Sequence, residues 1–502
     1  VRTSSANRAI IAETIIFLGY TPYNQSSTLA SFPNAPLEVS AGLTATVEVH
    51  TGALQEQHAL ATYQSLGAAR GLTLHYDSLR AEPTHVYYFS LASIPEAENK
   101  NPRYVVVRLT AYLGDVRIEV PGLGVEDAMT YGLSGGEHVF ALPEKPEAKT
   151  VYGGSLQIDL SDGPSGVYTF VFEYGVYELV NGKLRGRTQT TTTPMAVVNL
   201  ADGAFGAGWG VSGYYQIFEG DGAVLLVDGN GNEQIYLAPQ KQGDPFTSLS
   251  QDYSSLYQSA DGTFVRRLLD GTEYEFESYI STIEFKGRTL NVTSYRQTVV
   301  RDRHGNETVY VYNGDDQLER IVDPVGLATE LHYADGRVDE VKDPAGRVTK
   351  FEYDDDGNLE TITDPDGSMR TFEYEHADPD FEHLLTGQVH KRGNDSDEPL
   401  DDDFRETVIY NEIGRVIGGE RIDGKSFTLT PAQAFARFNP EKTAGLDPDT
   451  GLDDPDSIYD LEEAPDECVN LAEAPEHREL LDAMKAKLRR YQEATKDPWV
   501  EK

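Results

Sequence analysis

The sequence predicts a mainly β protein: a β-sandwich, then a curled sheet of repeated β-hairpins that forms a partial shell, then a short carboxyl-terminal α-helix. Closely spaced strand patterns separated by Gly and Pro turns predict the sandwich. A turn pattern that recurs about every 20 residues predicts the hairpin sheet. An apolar stripe near the end of the chain predicts the helix.

The amino-terminal part divides into two predicted segments. Residues 1–45 are weakly patterned. Residues 46–196 contain strand patterns such as "THVYYFSLA", "RYVVVRLTAYL" and "GVYTFVFEYGVYELV", with turns between them. Short strands at this spacing are typical of a β-sandwich of immunoglobulin-like size.

Residues 197–425 are predicted to form the hairpin sheet. Its turns begin at Asp302, Asp323, Asp343 and Asp364, and the last three read Asp-Pro-any-Gly. Because side chains alternate along a strand, the third, fifth and seventh residues after each Gly share one face. That face carries Thr308, Tyr310 and Tyr312, then Thr329, Leu331 and Tyr333, then Thr349, Phe351 and Tyr353, then Arg370, Phe372 and Tyr374. The intervening residues are mostly polar, which predicts half-buried strands.

The turns and the returning strands have signatures of their own. Asp-Pro-any-Gly suits a type I turn. The steps Asn313-Gly314, Asp335-Gly336 and Asp356-Gly357 favour positive φ and close hairpins. The returning strands carry apolar pairs three residues apart, such as Leu318 and Ile321, where strict alternation gives two. This spacing predicts a β-bulge or a strongly twisted strand end.

Each unit is therefore a hairpin with one apolar face, and a lone hairpin is only marginally stable in water. Stacked copies share a continuous core, so we interpret the array as the wall of a container or scaffold. A β-meander in an ordinary sheet domain is the alternative. The expected structural core is Tyr312, Tyr333, Tyr353, Tyr374, Phe351, Phe372 and Trp209, which we assign to packing and not to a ligand site.

Roughly residues 45–425 resemble the Rhs, or YD-repeat, family, which includes bacterial Rhs proteins, toxin-complex shell proteins and teneurins. The segments Tyr353–Leu359 and Asp364–Gly367 carry the repeat pattern, a degraded copy surrounds Tyr410, and Gly206–Trp209 is similar to the step that opens such shells. The resemblance implies a shell that encloses a toxin or acts in cell contact. It also implies a bacterial protein that is secreted or at the cell surface, with an enclosed polypeptide or a surface glycan or protein as partner.

The composition of the chain argues against several classes of function. The net charge of −41 repels phosphate, so we expect neither nucleic-acid binding nor binding to anionic membranes. No apolar run reaches transmembrane length. A lone cysteine, Cys468, permits no internal disulfide. The chain begins with Val, and we expect it to be a fragment of a longer protein.

The carboxyl-terminal part changes character. Residues 426–457 are acidic and rich in Pro, which predicts a linker. Residues 458–502, with a predicted helix at 474–495, resemble the carboxyl end of sulfatases. Cys468 lacks the Cys-any-Pro-any-Arg context that a sulfatase needs. We therefore expect no sulfatase activity from this chain.

The search for chemistry gives few candidates, and we expect no catalytic residue and no cofactor. Asp447, Asp449 and Asp453 are calcium-ligand candidates, although a solvated acidic loop explains them as well. Ser134 lies in a Gly-any-Ser-any-Gly pattern, which we interpret as a turn because a short strand follows it. His58 is interpreted as a solvated side chain.

Three functions follow from these observations. The first is a non-catalytic structural protein, part of a repeat shell used to encapsulate a polymorphic toxin or to make cell-surface contact. The second is a carbohydrate-active or sulfatase-related enzyme that lacks its catalytic part. The third is a surface adhesin that binds glycans through exposed aromatic residues such as Tyr87, Tyr88 and Tyr112.

Overall fold

The structure is a computed structural model. It describes residues 15–16, 37–38, 45–48, 51–91, 101–120, 122–142, 152–220, 222–248, 253–376, 381–391, 404–411, 414–422, 424–429 and 459–460. The calcium-ligand candidates Asp447, Asp449 and Asp453, together with Cys468 and the predicted helix 474–495, lie outside these residues.

The described residues are mainly β-strands. The strands are β1 (Ile15–Ile16), β2 (Leu37–Glu38), β3 (Ala45–Val47), β4 (Leu54–Ala59), β5 (Tyr63–Ser65), β6 (Ala68–Arg70), β7 (Thr73–Asp77), β8 (Thr84–Leu91), β9 (Arg103–Leu113), β10 (Val116–Glu119), β11 (His138–Ala141), β12 (Tyr152–Asp159), β13 (Gly166–Val180), β14 (Lys183–Gly186), β15 (Gln189–Val197), β16 (Trp209–Val211), β17 (Tyr215–Gly220), β18 (Ala223–Asp228), β19 (Glu233–Leu237), β20 (Thr247–Ser248), β21 (Ser255–Gln258), β22 (Phe264–Arg267), β23 (Glu273–Phe285), β24 (Arg288–Arg301), β25 (Glu307–Tyr312), β26 (Leu318–Val322), β27 (Ala328–Ala334), β28 (Arg337–Lys342), β29 (Val348–Tyr353), β30 (Leu359–Thr363), β31 (Met369–Glu373), β32 (Gly387–Val389), β33 (Arg405–Tyr410), β34 (Val416–Glu420), β35 (Ser426–Thr428) and β36 (Tyr459–Asp460). The helices are α1 (Ser78–Ala81) and α2 (Val125–Tyr131), and no helix of the described residues has the length and apolarity needed to cross a membrane.

Two sheets face each other to form a sandwich. One has the order β1-β8-β12-β36. The other has the order β10-β9-β13-β14, with β11 on β9 and β15 on β13. Side chains from both inner faces meet in one core, where Phe172 lies 4.9 Å from Tyr87 and 5.4 Å from Phe89 between ring centroids. Alternate residues of each strand reach this core, Tyr87 and Phe89 from β8 and Tyr168, Phe170 and Phe172 from β13.

The hairpin sheet predicted for the second half is present as one antiparallel meander. Strands β17 to β35 pair in chain order, and β17 also pairs with β24. The second pairing folds the first strands of the sheet back around a core that includes Ile217, Phe264 and Tyr295. The remaining strands, β25 to β35, are called the repeat ribbon below. The predicted fold class, mainly β with a repeated hairpin sheet, is confirmed.

The predicted irregularity of the returning strands is confirmed as a set of β-bulges. In three successive pairs one residue of the returning strand has no partner: Glu319 opposite Val311–Tyr312, Asp339 opposite His332–Tyr333, and Glu360 opposite Glu352–Tyr353. An extra residue shifts the alternation by one, so apolar positions three apart can share a face.

The turns agree with the prediction at some positions and differ at others. Gly326 N–H donates to the Asp323 carbonyl at 2.9 Å, as a type I turn requires. Asp335 and Gly336 have φ of 50° and 86°, as expected for a hairpin turn. The prediction for Asn313-Gly314 was wrong, because the left-handed residue is Asp316. The Asn313 side chain accepts from Asp315 N at 2.9 Å and Gln317 N at 3.0 Å, which favours a longer turn.

A third sheet changes the expected division of the chain. Strands β2, β3, β4, β7 and β16, in the order β16-β7-β4-β3-β2, form what is called the N-terminal sheet below. Residues 45–77, expected within the sandwich of residues 46–196, therefore lie apart from it. Buried Val47, Leu54 and Tyr76 pack with the repeat ribbon in one core. A strand pattern shows which face is buried but not which sheet it covers, so the sequence did not separate these strands from the sandwich.

Candidate functional site: the inner face of the repeat ribbon

The side chains that alternate inward along the repeats form one continuous apolar face. Leu331, Phe351 and Phe372 are buried in the core shared with the N-terminal sheet. The repeat tyrosines Tyr312, Tyr333, Tyr353 and Tyr374 are partly buried and pack against that core. Trp209, on β16 of the N-terminal sheet, is buried in the same core, so all seven residues that the sequence assigns to packing lie in or against this core.

The hydroxyls of three repeat tyrosines join their repeat to the hairpin before it. The hydroxyl of Tyr353 donates to the Val338 carbonyl at 2.6 Å, and that of Tyr333 donates to the Leu318 carbonyl at 3.0 Å. Each acceptor lies 15 residues earlier, directly before the unpaired residue of a bulge. Burial raises the pKa of Tyr333 to about 12, so its hydroxyl keeps its proton.

Tyr312, one repeat before Tyr333, makes the same kind of hydrogen bond. Its hydroxyl donates to the carbonyl of Gln297 at 2.5 Å, again 15 residues back, and the ladder skips Thr298. A bulge disrupts the ladder locally, and a buried carbonyl needs a donor. The sequence pattern held this signal, because the bulge and the tyrosine keep a constant spacing, but the hydrogen bond itself was not predicted.

Trp209 joins the N-terminal sheet to the ribbon. Its Nε1 donates to the Tyr374 hydroxyl at 3.1 Å, and its ring lies 5.2 Å from Phe372 and 5.5 Å from Tyr76. Gly206 and Gly208 precede it with φ of 92° and 77°. A Cβ on Gly206 would lie 2.8 Å from the backbone N of Leu359, so the ribbon approaches this turn closely.

Tyr76 is a central residue that the sequence did not single out. Its hydroxyl donates to the His383 carbonyl at 3.0 Å and accepts from Leu385 N at 2.9 Å. Tyr410, in the degraded repeat copy, donates to the carbonyl of Leu385 at 2.8 Å. The segment around residues 383–385 is therefore held from both sides, by the N-terminal sheet and by a later repeat.

A buried polar group crosses the same interface. Arg370 Nη1 donates to Glu56 Oε1 at 3.0 Å, and Gln388 Nε2 donates to both Glu56 at 3.3 Å and Glu406 at 3.0 Å. His390 Nε2 lies 3.0 Å from Glu406. These five residues are called the seam cluster below. The guanidinium of Arg370 offsets the charge of Glu56, and Gln388 and His390 contact Glu406, so the buried carboxylates have polar partners.

A second buried polar group lies beside the segment "DGNGN". Arg80 donates to the Asp228 carbonyl at 2.9 Å and pairs with Glu233 at 3.4 Å. The Asp228 side chain accepts from Gly213 N at 2.9 Å and Asn230 N at 3.2 Å. Burial raises the pKa of Asp228. These bonds hold the backbone of a turn. In the described part of the chain, no three or more His, Cys, Asp or Glu side chains are grouped as a metal site would need.

Ser134 lies in the connection between α2 and β11, in agreement with its interpretation as a turn, whereas other sequence candidates take different places from those expected. Ser134 follows α2 and not a buried strand, and its hydroxyl donates to Glu137 at 2.5 Å, which does not match a nucleophile elbow. Tyr87, expected to be exposed for glycan binding, is buried in the sandwich core because it faces the opposite sheet. Tyr112 is half-buried, and the side chain of Tyr88 lies outside the described residues. His58, expected to be solvated, is buried on β4.

Comparison with known proteins gives one family match and a distant structural likeness. The family described as RHS Repeat matches residues 332–371. No curated protein matches the chain. The solved structure titled "Crystal Structure of TcdB2-TccC3-Cdc42" aligns with a TM-score of 0.20 and 13% identity, over 77% of this chain and 14% of that one. The chain therefore spans about one seventh of the solved chain it matches.

Proposed function

We propose, from the premise that this chain carries an RHS repeat at residues 332–371, that it is a non-catalytic structural protein and forms part of the wall of a shell. The tyrosine hydrogen bonds support this proposal. They join successive hairpins through the bulge carbonyls of Gln297, Leu318 and Val338, so each repeat stabilises the next. A wall built this way gains rigidity from repetition and needs no catalytic group.

The N-terminal sheet closes the inner face of this part of the wall. Val338 N–H donates to the Ala204 carbonyl at 2.8 Å, and Val416 N–H donates to the Gly52 carbonyl at 2.9 Å. Arg347 donates to the Thr62 carbonyl at 2.6 Å. We infer that the described residues form a sealed region of the wall, and that an enclosed polypeptide would lie against other parts of the complete protein.

The favoured partner is an enclosed polypeptide, and the favoured location is outside the bacterial cell or at its surface. A wall that seals its own inner face suits a container better than an adhesin. The burial of Tyr87 removes one of the exposed aromatic residues on which the glycan alternative depended. We propose further that the enclosed polypeptide is a toxin.

Protease protection tests the proposal on the polypeptide produced from the complete reading frame. We expect one internal segment to resist protease in the folded protein and to be cut once Arg370→Ala disrupts the seam, the interface between the N-terminal sheet and the repeat ribbon. Arg267→Ala is the matched control, because Arg267 pairs with Glu273 at the surface and its loss leaves the seam intact. Equal digestion of every segment in the unaltered protein contradicts enclosure, and arylsulfate turnover contradicts a non-catalytic role.

A further inference from the structure

The interface between the N-terminal sheet and the repeat ribbon, called the seam below, contains an unusual imidazole. His58 lies two residues after Glu56 on β4, so both side chains face the ribbon. It is 4% exposed, and its Nε2 has no hydrogen-bond partner among the described residues. The imidazole of His58 is therefore buried although its Nε2 makes no hydrogen bond with the described residues.

The charges around His58 come from several elements of the ribbon. Arg370 lies on β31, and Lys391 follows β32, where it pairs with Asp364. These two cations both disfavour a positive charge on His58. Further titratable groups at the seam include Glu56 on β4, Tyr76 on β7, Tyr374 after β31, His390 after β32, and Glu406 and Tyr410 on β33.

We propose that acid opens the seam: when His58 takes up a proton, the N-terminal sheet separates from β31–β33 while each sheet keeps its own strands. The proton adds a positive charge to a buried side chain that Arg370 and Lys391 already make unfavourable for a cation. Separation exposes the charged imidazole to water, which removes both the cost of burying its charge and the repulsion from Arg370 and Lys391. The inference rests on the proposed function, because opening has a consequence only if this wall closes a container.

The sign follows from proton linkage. Burial, and then the charges of Arg370 and Lys391, lower the pKa of His58 to about 3 in the closed seam. In the open state the imidazole meets water and titrates near its ordinary value of about 6.5. Between these two values the open state binds one more proton than the closed state, so each unit of acidification in that range favours opening about tenfold.

Trp209 reports the seam directly, because it is 1% exposed and packs between Tyr76 and Phe372. The sequence has one other tryptophan, Trp499, so the chain with Trp499→Phe gives a single-site signal. Fluorescence and acrylamide quenching of Trp209 are measured from pH 7.5 to 3.5, with far-UV circular dichroism as the measure of strand content.

Variants of His58 distinguish protonation of this residue from protonation of other groups in acid. His58→Gln keeps a neutral polar side chain at every pH, and His58→Leu is a second neutral replacement in case Gln impairs folding. Relative to its own value at pH 7.5, opening of the His58 chain at pH 4.5 is expected to exceed that of the variants by about a hundredfold. His138→Gln is the matched control, since His138 is buried in the sandwich and a change there leaves the seam's response intact.

Each outcome decides something. Quenching that rises before strand content falls, and that moves to lower pH in the His58 variants, supports the proposal. Loss of both signals at one pH, or opening that is unchanged in the variants, overturns it while leaving the sealed wall intact. A Trp209 already open to acrylamide at pH 7.5 contradicts the sealed wall itself, and the acid inference with it.

Discussion

At the residue scale, the repeat tyrosines do more than fill space. The ring packs against the shared core, while the hydroxyl of Tyr312, Tyr333 or Tyr353 also donates to a carbonyl at a bulge of the preceding hairpin. A phenylalanine would fill the same volume and leave that carbonyl without its donor. The distinction explains why tyrosine, and not a purely apolar residue, ends the inward face of these three repeats. In the fourth, the Tyr374 hydroxyl accepts from Trp209.

Removing one hydroxyl measures this role. Tyr353→Phe is expected to lower the free energy of unfolding by about 1–2 kcal/mol, because the buried Val338 carbonyl loses its hydrogen bond. Urea unfolding followed by circular dichroism gives the value. Tyr253→Phe is the control, since Tyr253 is 74% exposed and should tolerate the change. Equal loss in both variants would mean that the hydroxyl at Tyr353 adds nothing specific.

At the scale of single elements, the turn before β16 fixes how the N-terminal sheet meets the ribbon. Gly206 has a left-handed backbone and lies within contact distance of Leu359 in β30. Gly367, in an Asp-Pro-any-Gly turn, has nearly the same φ but no atom within 4 Å of an added Cβ. The two glycines therefore have the same backbone demand and different surroundings.

Alanine at these two positions separates backbone strain from close packing. Gly367→Ala is expected to cost about 1–2 kcal/mol of unfolding free energy, from the left-handed conformation alone. Gly206→Ala should lower the free energy of unfolding by about 1–3 kcal/mol more than Gly367→Ala does, because its Cβ meets the backbone of Leu359. Urea unfolding of the two variants side by side gives the difference. If Gly206→Ala destabilises the protein no more than Gly367→Ala does, the turn at Gly206 does not pack closely against Leu359 of the ribbon.

At the scale of the whole molecule, the long hairpin of β23 and β24 connects the repeat sheet to the sandwich. Phe285 near its tip is buried in the sandwich core with Tyr168 and Phe172, although it belongs to a strand of the repeat sheet. Lys286 pairs with Asp162 at 2.9 Å beside it. The described regions are thus joined by shared cores, which favours unfolding as one unit.

Truncating Phe285 tests this connection. Phe285→Ala is expected to destabilise the protein by about 3–5 kcal/mol, because it leaves a cavity in the sandwich core. Hydrogen exchange should quicken most in β13 and less in β29, which lies in the other core. Leu269→Ala is a suitable control, since Leu269 is 81% exposed. Uniform exchange changes along the chain would contradict a local connection at Phe285.

Much of the fold could be predicted because its signals are local. Alternation over a few residues gives the strands, Asp-Pro-any-Gly gives the turns, and apolar spacing of three gives bulges such as the one at Glu319. The site was predicted less completely. The inward residues were identified, but the acceptors of their hydroxyls were not, and His58 was placed in solvent although it is buried.

The sequence by itself determined the repeated hairpins and the face that each one buries, since these depend on residues close together in the chain. Only the tertiary structure decided what covers that face. Glu56 meets Arg370 across 314 residues of sequence, and strands expected in the sandwich pack on the ribbon instead. The reason is physical: periodicity records that a side chain leaves water, whereas its partner depends on how distant strands are brought together.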